Sequence, residues 1–281
     1  MKKILIPTDF SANALNAIQY ALQFFKEEHC TFYVLHVSQS IADPATTSMG
    51  FASINAAMMQ EAIATDHKKL CKLIKTLRQE NNNIDHHFVF LQEYTFFTEA
   101  VKNQVTDKDI DYIVMGTKGA SGFKEAVIGS NTADVITKVK CPVLIVPEKA
   151  KYQAPGEVAF PTDYNLIYTP ELLRRLTEIL ALHNADLRIL NIQKNNEDLA
   201  PFQKANQETL DLILKDQQHS FHTITHSNIE AAMQSFIEYK KIDLVVMVAK
   251  NLNFLQRLLF EPLVEKISYH TQIPFLVLHE R

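Results

Sequence analysis

The chain has 281 residues, of which 47% are hydrophobic and 21% are charged, and its formal net charge at pH 7 is -4. This composition is typical of a globular protein rather than a disordered one, and the negative charge with scattered Lys and Arg argues against nucleic acid as the main partner. At about 150 residues per domain, the length predicts two domains.

The first residues and the cysteines indicate the compartment. The opening MKKILIPTDFS is basic, but its apolar run covers only Ile4 to Ile6, which is too short for a secretion signal. No apolar run approaches the roughly 18 residues of a membrane-spanning helix. Cys30, Cys71 and Cys141 share no CxxC spacing, so neither a disulfide framework nor a zinc knuckle is indicated. We therefore expect a cytoplasmic protein with reduced thiols and no membrane partner.

Strands and helices alternate through the first half of the chain. Apolar strands are predicted at residues 3–7, 31–37, 84–90, 112–115 and 143–146, and helices at about 14–25, 62–79, 97–105 and after residue 129. Residues 38–60 are a polar connection without a clear period. Because right-handed crossovers bring the loops after parallel strands to one edge, Asp9, Val37 and the loop after Met115 are expected to meet there.

Glycine is rare in this chain and is concentrated after the fourth strand. Four of the six glycines lie between residues 116 and 129, and Gly129-Ser130-Asn131 precedes an apolar helical pattern. Backbone N–H groups exposed by small residues, next to the unpaired N–H groups of a helix start, form a cradle for a phosphate. The spacing is Gly, two residues, Gly, nine residues, Gly-Ser, and it matches neither the Walker nor the GxGxxG pattern.

The second half of the chain repeats motifs of the first. AFPTD at 159–163 repeats LIPTD at 5–9, DLVVM at 243–247 repeats DYIVM at 111–115, and IPFLVL at 273–278 repeats CPVLIV at 141–146. The offset falls from 154 to 132 residues, so the second copy lacks 22 residues, which we assign to the polar connection. We predict two copies of one α/β unit rather than one large sheet, with domains at 1–150 and 151–281.

These features resemble the universal stress protein family, whose ATP-binding loop has the pattern G-2x-G-9x-G-(S/T). Gly116, Gly119, Gly129 and Ser130 match its fixed positions. The resemblance covers essentially the whole chain, which is similar to two such domains in tandem. It implies two HUP-like (Rossmann-like) α/β domains, each a five-stranded parallel sheet with helices on both faces, in a stress-response protein.

The resemblance also implies an adenine-nucleotide site in the first domain, with ATP as the ligand and Mg²⁺ accompanying its phosphates. Asp9 matches the family's acidic residue beside the adenosine, and Val37 matches the position whose backbone faces adenine. The implied set is Pro7, Thr8, Asp9, Val37, Met115, Gly116, Lys118, Gly119, Gly129, Ser130 and Asn131. Taken singly, Asp9, Ser130 and Asn131 are also explained as helix caps, and Lys118 as a solvated loop lysine.

The second copy keeps the turn at Pro161-Thr162-Asp163 but loses the glycine loop. At equal loop length, the residues at the positions of Gly116, Gly119, Gly129, Ser130 and Asn131 become Val248, Asn251, Glu261, Pro262 and Leu263. Glu261 brings a negative charge to the place of a phosphate, and Pro262 lacks an N–H. We therefore predict one nucleotide per chain and interpret Asp163 as the remnant of a helix start.

Two other functions stay open. One is a weak ATPase or nucleotidyl-transfer enzyme, although the chain has no G-x-S-x-G or H-E-x-x-H motif and no catalytic residue is assigned. The other is a ligand-free pairing module.

No metal site is predicted, because no H-x-x-x-H pair lies on a predicted helix. The Phe96-Phe97 pair is expected in the core. The apolar strands at 143–146 and 275–278 predict that the two copies pair as an internal pseudo-dimer, with a homodimer as a further arrangement.

Overall fold

The computed structural model of this protein describes residues 1–38, 51–117, 129–249 and 272–279. The strands of the first half are β1 (Lys2–Pro7), β2 (Cys30–Val37), β3 (His86–Glu93), β4 (Tyr112–Gly116) and β5 (Val143–Val146), and its helices are α1 (Ala12–Phe24), α2 (Phe51–Glu80), α3 (Phe97–Lys108) and α4 (Ser130–Lys138). In the second half the strands are β6 (Glu157–Pro161), β7 (Asp186–Gln193), β8 (His219–Thr225), β9 (Leu244–Val248) and β10 (Phe275–Leu278), and the helices are α5 (Pro170–His183), α6 (Pro201–Ile213) and α7 (Ile229–Lys240).

The ten strands form one sheet in the order β3-β2-β1-β4-β5-β10-β9-β6-β7-β8. All pairs within each half are parallel, and the halves are joined by the antiparallel pair β5–β10, in which Ile145 lies opposite Phe275. The Rossmann-like α/β fold is therefore present in both halves. The expectation of two units rather than one large sheet needs one correction, because the two five-stranded units are joined into a single ten-stranded sheet. Their two apolar edge strands pair with each other, and this pairing satisfies backbone groups that an open edge would leave unpaired.

The sheet is buried on both faces, as the apolar runs of its strands predict. In β1, Ile4, Leu5 and Ile6 are all fully buried. Ile4 and Ile6 belong to one hydrophobic cluster and Leu5 to another, because successive side chains of a strand point to opposite faces. Helices must therefore cover both sides, which is the arrangement of a parallel α/β sheet.

Two local expectations are wrong. Helix α2 begins at Phe51 rather than near residue 62, because the segment AAMMQEAIA at 56–64 consists almost entirely of strong helix formers although it has no apolar period. Phe96 is 81% exposed and is not a core residue. It is the N-cap residue of α3, whereas Phe97 packs against the core.

A group of partly buried ionic contacts joins the two halves. Arg175 of α5 is 6% exposed and donates hydrogen bonds to Asp111 and to Glu178. Lys2 Nζ lies 2.6 Å from Glu178 Oε2, and the Tyr112 hydroxyl donates to the same oxygen at 3.3 Å. Lys2, Asp111 and Tyr112 come from the first half, so this Arg175 cluster ties α5 to strands β1 and β4.

Of the helices that the structure describes, none is long and apolar enough to cross a membrane.

Candidate functional site

The turn between β1 and α1 is held by short-range hydrogen bonds. Thr8 N donates to Leu35 O at 2.8 Å, and Thr8 Oγ1 accepts from Phe10 N at 3.1 Å. Asp9 Oδ1 accepts from Ser11 N at 2.9 Å, and Ser11 is the N-cap of α1, accepting from Ala14 N. The chain therefore leaves the carboxyl end of β1 with Asp9 exposed and α1 beginning directly beside it.

His36 links the β1–α1 turn to helix α2. Its Nδ1 lies 2.8 Å from Thr8 O, and its Nε2 lies 3.3 Å from Asp66 Oδ2 on α2. Burial by itself raises the pKa of the Asp66 carboxyl, but hydrogen bonds from Ser38 and Lys69 and the nearby imidazole outweigh it and hold the pKa below its usual value. Asp66 therefore stays a carboxylate that anchors the His36 ring against the β1–α1 turn.

Helix α4 starts against the carboxyl end of β4. Gly129 N donates to Thr117 O at 2.6 Å, and Thr132 Oγ1 donates to Gly116 O at 3.0 Å. Gly129 is the N-cap of α4 and makes no side-chain cap bond. Ser130 and Asn131 lie within the first turn of the helix, so the interpretation of these two residues as plain N-caps is wrong. Their backbone N–H groups belong to the donors that a helix start leaves without intrahelical partners.

Gly116 permits a close approach between β4 and α1. A Cβ atom at this position would lie 2.7 Å from Asn13 Cγ. Asn13 is itself 5% exposed, so it has little room to move away. A residue with a side chain at position 116 would push the strand end and the helix apart, and this is the physical reason for a glycine here.

Nine of the eleven residues expected from the sequence line one cleft of about 150 Å³ at the carboxyl edge of the first half, which we call the β4–α4 cleft. They are Pro7, Thr8, Asp9, Val37, Met115, Gly116, Gly129, Ser130 and Asn131. Lys118 and Gly119 lie outside the described residues. Ala14, Phe97 and Thr132 also line the cleft and were missed. Phe97 follows β3 closely, so the rule that loops after parallel strands meet at one edge would have found it.

The electrostatics of the β4–α4 cleft favour an anion at one end. The first turn of α4 carries no acidic residue, so its partial positive charge is available to an anion, whereas the Asp9 carboxylate lies beside the start of α1. Among the described residues that line the cleft, Asp9 has the sole ionisable side chain. The remaining wall is apolar at Val37, Met115 and Phe97. The arrangement can hold a ligand with an anionic group, a flat apolar part and a hydrogen-bond donor.

The corresponding turn of the second half is built differently. Asn191 Nδ2 donates to Thr162 O at 2.9 Å, in place of the contact between His36 and Thr8. Asp163 accepts from Asn165 N at 3.0 Å, whereas α5 begins at Pro170 with Thr169 as its N-cap. The interpretation of Asp163 as the remnant of a helix start is therefore wrong, because the chain here makes a further turn before the helix.

The glycine-loop replacements of the second half are described only in part. Val248 is 2% exposed and ends β9. Asn251, Glu261, Pro262 and Leu263 lie outside the described residues.

Cys30 and Cys141 are buried and Cys71 is exposed. In the part of the chain that the structure describes, no group of three or more His, Cys, Asp or Glu is placed to hold a metal ion.

Comparisons with known proteins point to one family. The model of the universal stress protein family matches residues 1–147. Universal stress protein MJ0531 of Methanocaldococcus jannaschii is 31% identical over 158 residues, which cover 53% of this chain and 84% of that protein. Universal stress protein Slr1230 of Synechocystis sp. is 24% identical, and the match covers 98% of this chain and 99% of that protein.

The solved structure of a universal stress protein from Archaeoglobus fulgidus has the same fold. It matches with a TM-score of 0.65 at 16% sequence identity, and the match covers 98% of this chain and 97% of that one. Because the match extends over both halves, the shared fold includes the second half, which the family model does not reach.

Proposed function

Because the chain belongs to the universal stress protein family and has its tandem arrangement, we propose that the first half binds an adenine nucleotide, ATP with Mg²⁺, in the β4–α4 cleft, as part of a cytoplasmic stress response. The observation that carries this proposal is the single cleft lined by nine residues that the family pattern names in advance. These residues come from three separate strand ends and from the start of α4, so their convergence is a property of the folded chain.

The phosphates are assigned to the start of α4. Ser130 and Asn131 offer backbone N–H groups without a side-chain cap to compete for them. The N–H of Gly129 is held by Thr117 O, and Gly129 contributes a backbone without a side chain that lets a phosphate come close. The absence of acidic residues from the first turn of α4 supports this assignment, since a carboxylate there would repel phosphate. When bound, Mg²⁺ would neutralise part of the phosphate charge and take its ligands chiefly from phosphate oxygens and water.

The adenosine is assigned to the part of the cleft near β1 and β2. Val37, Met115 and Phe97 supply apolar surface for a flat base, and Thr8 and Asp9 supply polar groups beside it. A carboxylate accepts several hydrogen bonds, so the bond from Ser11 N to Asp9 is compatible with a second bond from ribose or from the adenine amino group. Gly116 fits the same site, because a side chain there would displace Asn13 and the start of α1.

The lining favours binding over catalysis. Of the side chains that the structure describes in this cleft, Asp9 alone is ionisable, so the described lining offers one candidate proton acceptor and no acid–base pair. We propose that the nucleotide is a structural or signalling ligand. The second half is proposed to serve pairing and regulation as one part of an internal pseudo-dimer, which the antiparallel pairing of β5 with β10 supports.

Native mass spectrometry of the freshly purified intact chain tests the proposal. We expect one adenine nucleotide per chain, and titration of nucleotide-free protein with ATP, ADP and AMP then ranks the ligands. A chain that carries no nucleotide and takes up none at millimolar ATP would support the ligand-free pairing module instead. Phosphate release above the background of a Gly129→Asp variant would support the weak ATPase. Two nucleotides per chain would contradict the loss of binding in the second half.

A further inference from the structure

The second half has a polar cleft of its own, at the carboxyl edge of its strands. It has a volume of about 220 Å³ and lies between the end of β7 and the start of α6. Its lining includes Asp163, Asn191, Asn195, Glu197, Asp198 and Gln203, and we call it the β7–α6 cleft. The proposed nucleotide site does not include any of these residues.

Asn191 lines this cleft and carries a buried hydrogen-bond acceptor that is unused within the described part of the chain. The residue is 3% exposed, its Nδ2 donates to Thr162 O, and its Oδ1 has no hydrogen-bond partner within the described part of the chain. His36 takes the corresponding place in the first half, where its second nitrogen contacts Asp66. The shorter Asn191 side chain makes no such contact. A buried acceptor without a partner costs free energy, and a ligand that carries a donor would recover it.

The lining carries an excess of negative charge. Asp163, Glu197 and Asp198 are opposed within the lining by Lys194, and Asn195 Nδ2 holds Glu197 by a hydrogen bond of 3.0 Å to Oε1. This balance favours a cationic ligand whose N–H groups can donate to carboxylates and to an amide oxygen.

The start of α6 does not turn the β7–α6 cleft into an anion site. Its first residue is Pro201, which has no N–H to offer. Gln203 Oε1 accepts from Ala200 N at 2.9 Å, so the N-cap N–H is already used. A metal ion is also disfavoured, because within the described ranges the carboxylates are not grouped closely enough to hold one.

We propose that the β7–α6 cleft binds a small organic cation with primary ammonium groups, of the diamine class. An ammonium group has three donors and no acceptor, and it donates one hydrogen bond to Asn191 Oδ1. Glu197, Asp198 and Asp163 supply the opposing charge. This site is independent of the nucleotide proposal, so either can fail without the other.

Isothermal titration of the intact protein with 1,4-diaminobutane tests the site. We expect saturable binding with one diamine per chain, and no binding of 1,4-butanediol, which has the same carbon chain but no charge. Calcium chloride is the metal control and should bind at least tenfold more weakly than the diamine. Absence of diamine binding at millimolar concentration, or equal binding of the diol, overturns the proposal.

Two variants locate the binding, and one serves as a control. Asn191→Leu removes the buried acceptor and should weaken diamine binding roughly tenfold or more, the usual value of a hydrogen bond to a charged group. Asp198→Asn should weaken it about threefold, as expected for an exposed charge pair, and this exposed residue can be changed without disturbing the core. Asp216→Asn removes the same charge beyond the other end of α6 and should have no effect.

The variants also test whether the diamine binds only by non-specific electrostatic attraction to the protein. Equal weakening by Asp198→Asn and Asp216→Asn would show that the diamine responds only to net charge and would overturn the site. Diamine affinity that both Asn191→Leu and Asp198→Asn leave unchanged would do the same. ATP affinity is measured in each variant and should stay as in the unaltered chain, because these residues do not line the β4–α4 cleft.

Discussion

Asn13 lies so close to Gly116 that a Cβ atom on residue 116 would come within 2.7 Å of the Asn13 carboxamide nitrogen. Gly116→Ala should therefore lower the free energy of unfolding by about 1–3 kcal/mol, the usual cost of forcing extra volume into a packed site. It should also weaken ATP binding, since the β4–α4 cleft would widen. Urea unfolding and titration calorimetry measure the two effects.

A double variant separates this contact from other causes. Asn13→Ala removes the opposing side chain, so Gly116→Ala should cost less in that background than in the unaltered chain. Strict additivity of the two unfolding free energies would mean that the contact between Asn13 and Gly116 does not explain the glycine.

Gly129→Asp should weaken ATP binding by roughly tenfold or more, because a carboxylate at the N-cap of α4 would face the phosphates, and tenfold corresponds to about 1.4 kcal/mol. Gly129→Asn is the matched control, since it has nearly the same shape and no charge. Asp9→Ala should weaken binding less than Gly129→Asp. Equal affinities of the Asp and Asn variants at position 129 would rule out a phosphate at this helix start.

Ile145→Lys should destabilise the whole chain by about 4 kcal/mol or more, because residue 145 is fully buried opposite Phe275 and a lysine there has no partner. Val89→Lys is the control on the outer strand β3, where the side chain is 38% exposed, and it should change stability by only about 0.5 kcal/mol. Thermal unfolding measures both. Residues 1–150 and 151–281 that fold separately as fully stable monomers would argue against a structural role for the β5–β10 pair.

Arg175→Met should cost about 1–3 kcal/mol, because Asp111 loses its buried cationic partner while Glu178 keeps Lys2 and both carboxylates are partly exposed. Arg174→Met changes the neighbouring residue on the same helix. The Arg174 side chain is half exposed and lies 3.7 Å from Glu178, so this variant should cost under about 1 kcal/mol. Similar losses in the two variants, measured by urea unfolding, would show that the Arg175 cluster contributes no more than a surface ion pair.

Acid should destabilise the protein through His183. Burial, with a smaller contribution from Lys26, lowers the pKa of this imidazole to about 4. The unfolded chain therefore takes up a proton near pH 6.5 that the folded chain resists, and stability falls as the pH drops from about 6.5 towards 4. His183→Leu should flatten this part of the profile, measured by urea unfolding at pH 7 and pH 5. An unchanged slope would show that other groups, such as His86, His222 and His279, whose pKa values burial also lowers, carry the effect.

Much of the fold was predictable from the sequence because it rests on short-range patterns, and the residue set of the β4–α4 cleft was predicted from the resemblance to the universal stress protein family. Apolar runs and helical periods identified strands and helices, and the parallel alternation placed Asp9, Val37 and Gly116 at one edge. The repeated motifs identified the second half. Where local pattern and propensity disagreed, as in residues 51–61, the period alone placed the start of α2 too late.

The rest was decided by contacts between residues far apart in the chain. The sequence suggested that β5 would pair, but the antiparallel register of Ile145 with Phe275 depends on how two separate sheets meet. The contact of Asn13 with Gly116, the burial of Arg175 between the halves, and the unused acceptor of Asn191 all arise from packing. No local propensity encodes such contacts, because each partner alone is compatible with many neighbours, and only the close-packed arrangement of the whole chain selects one.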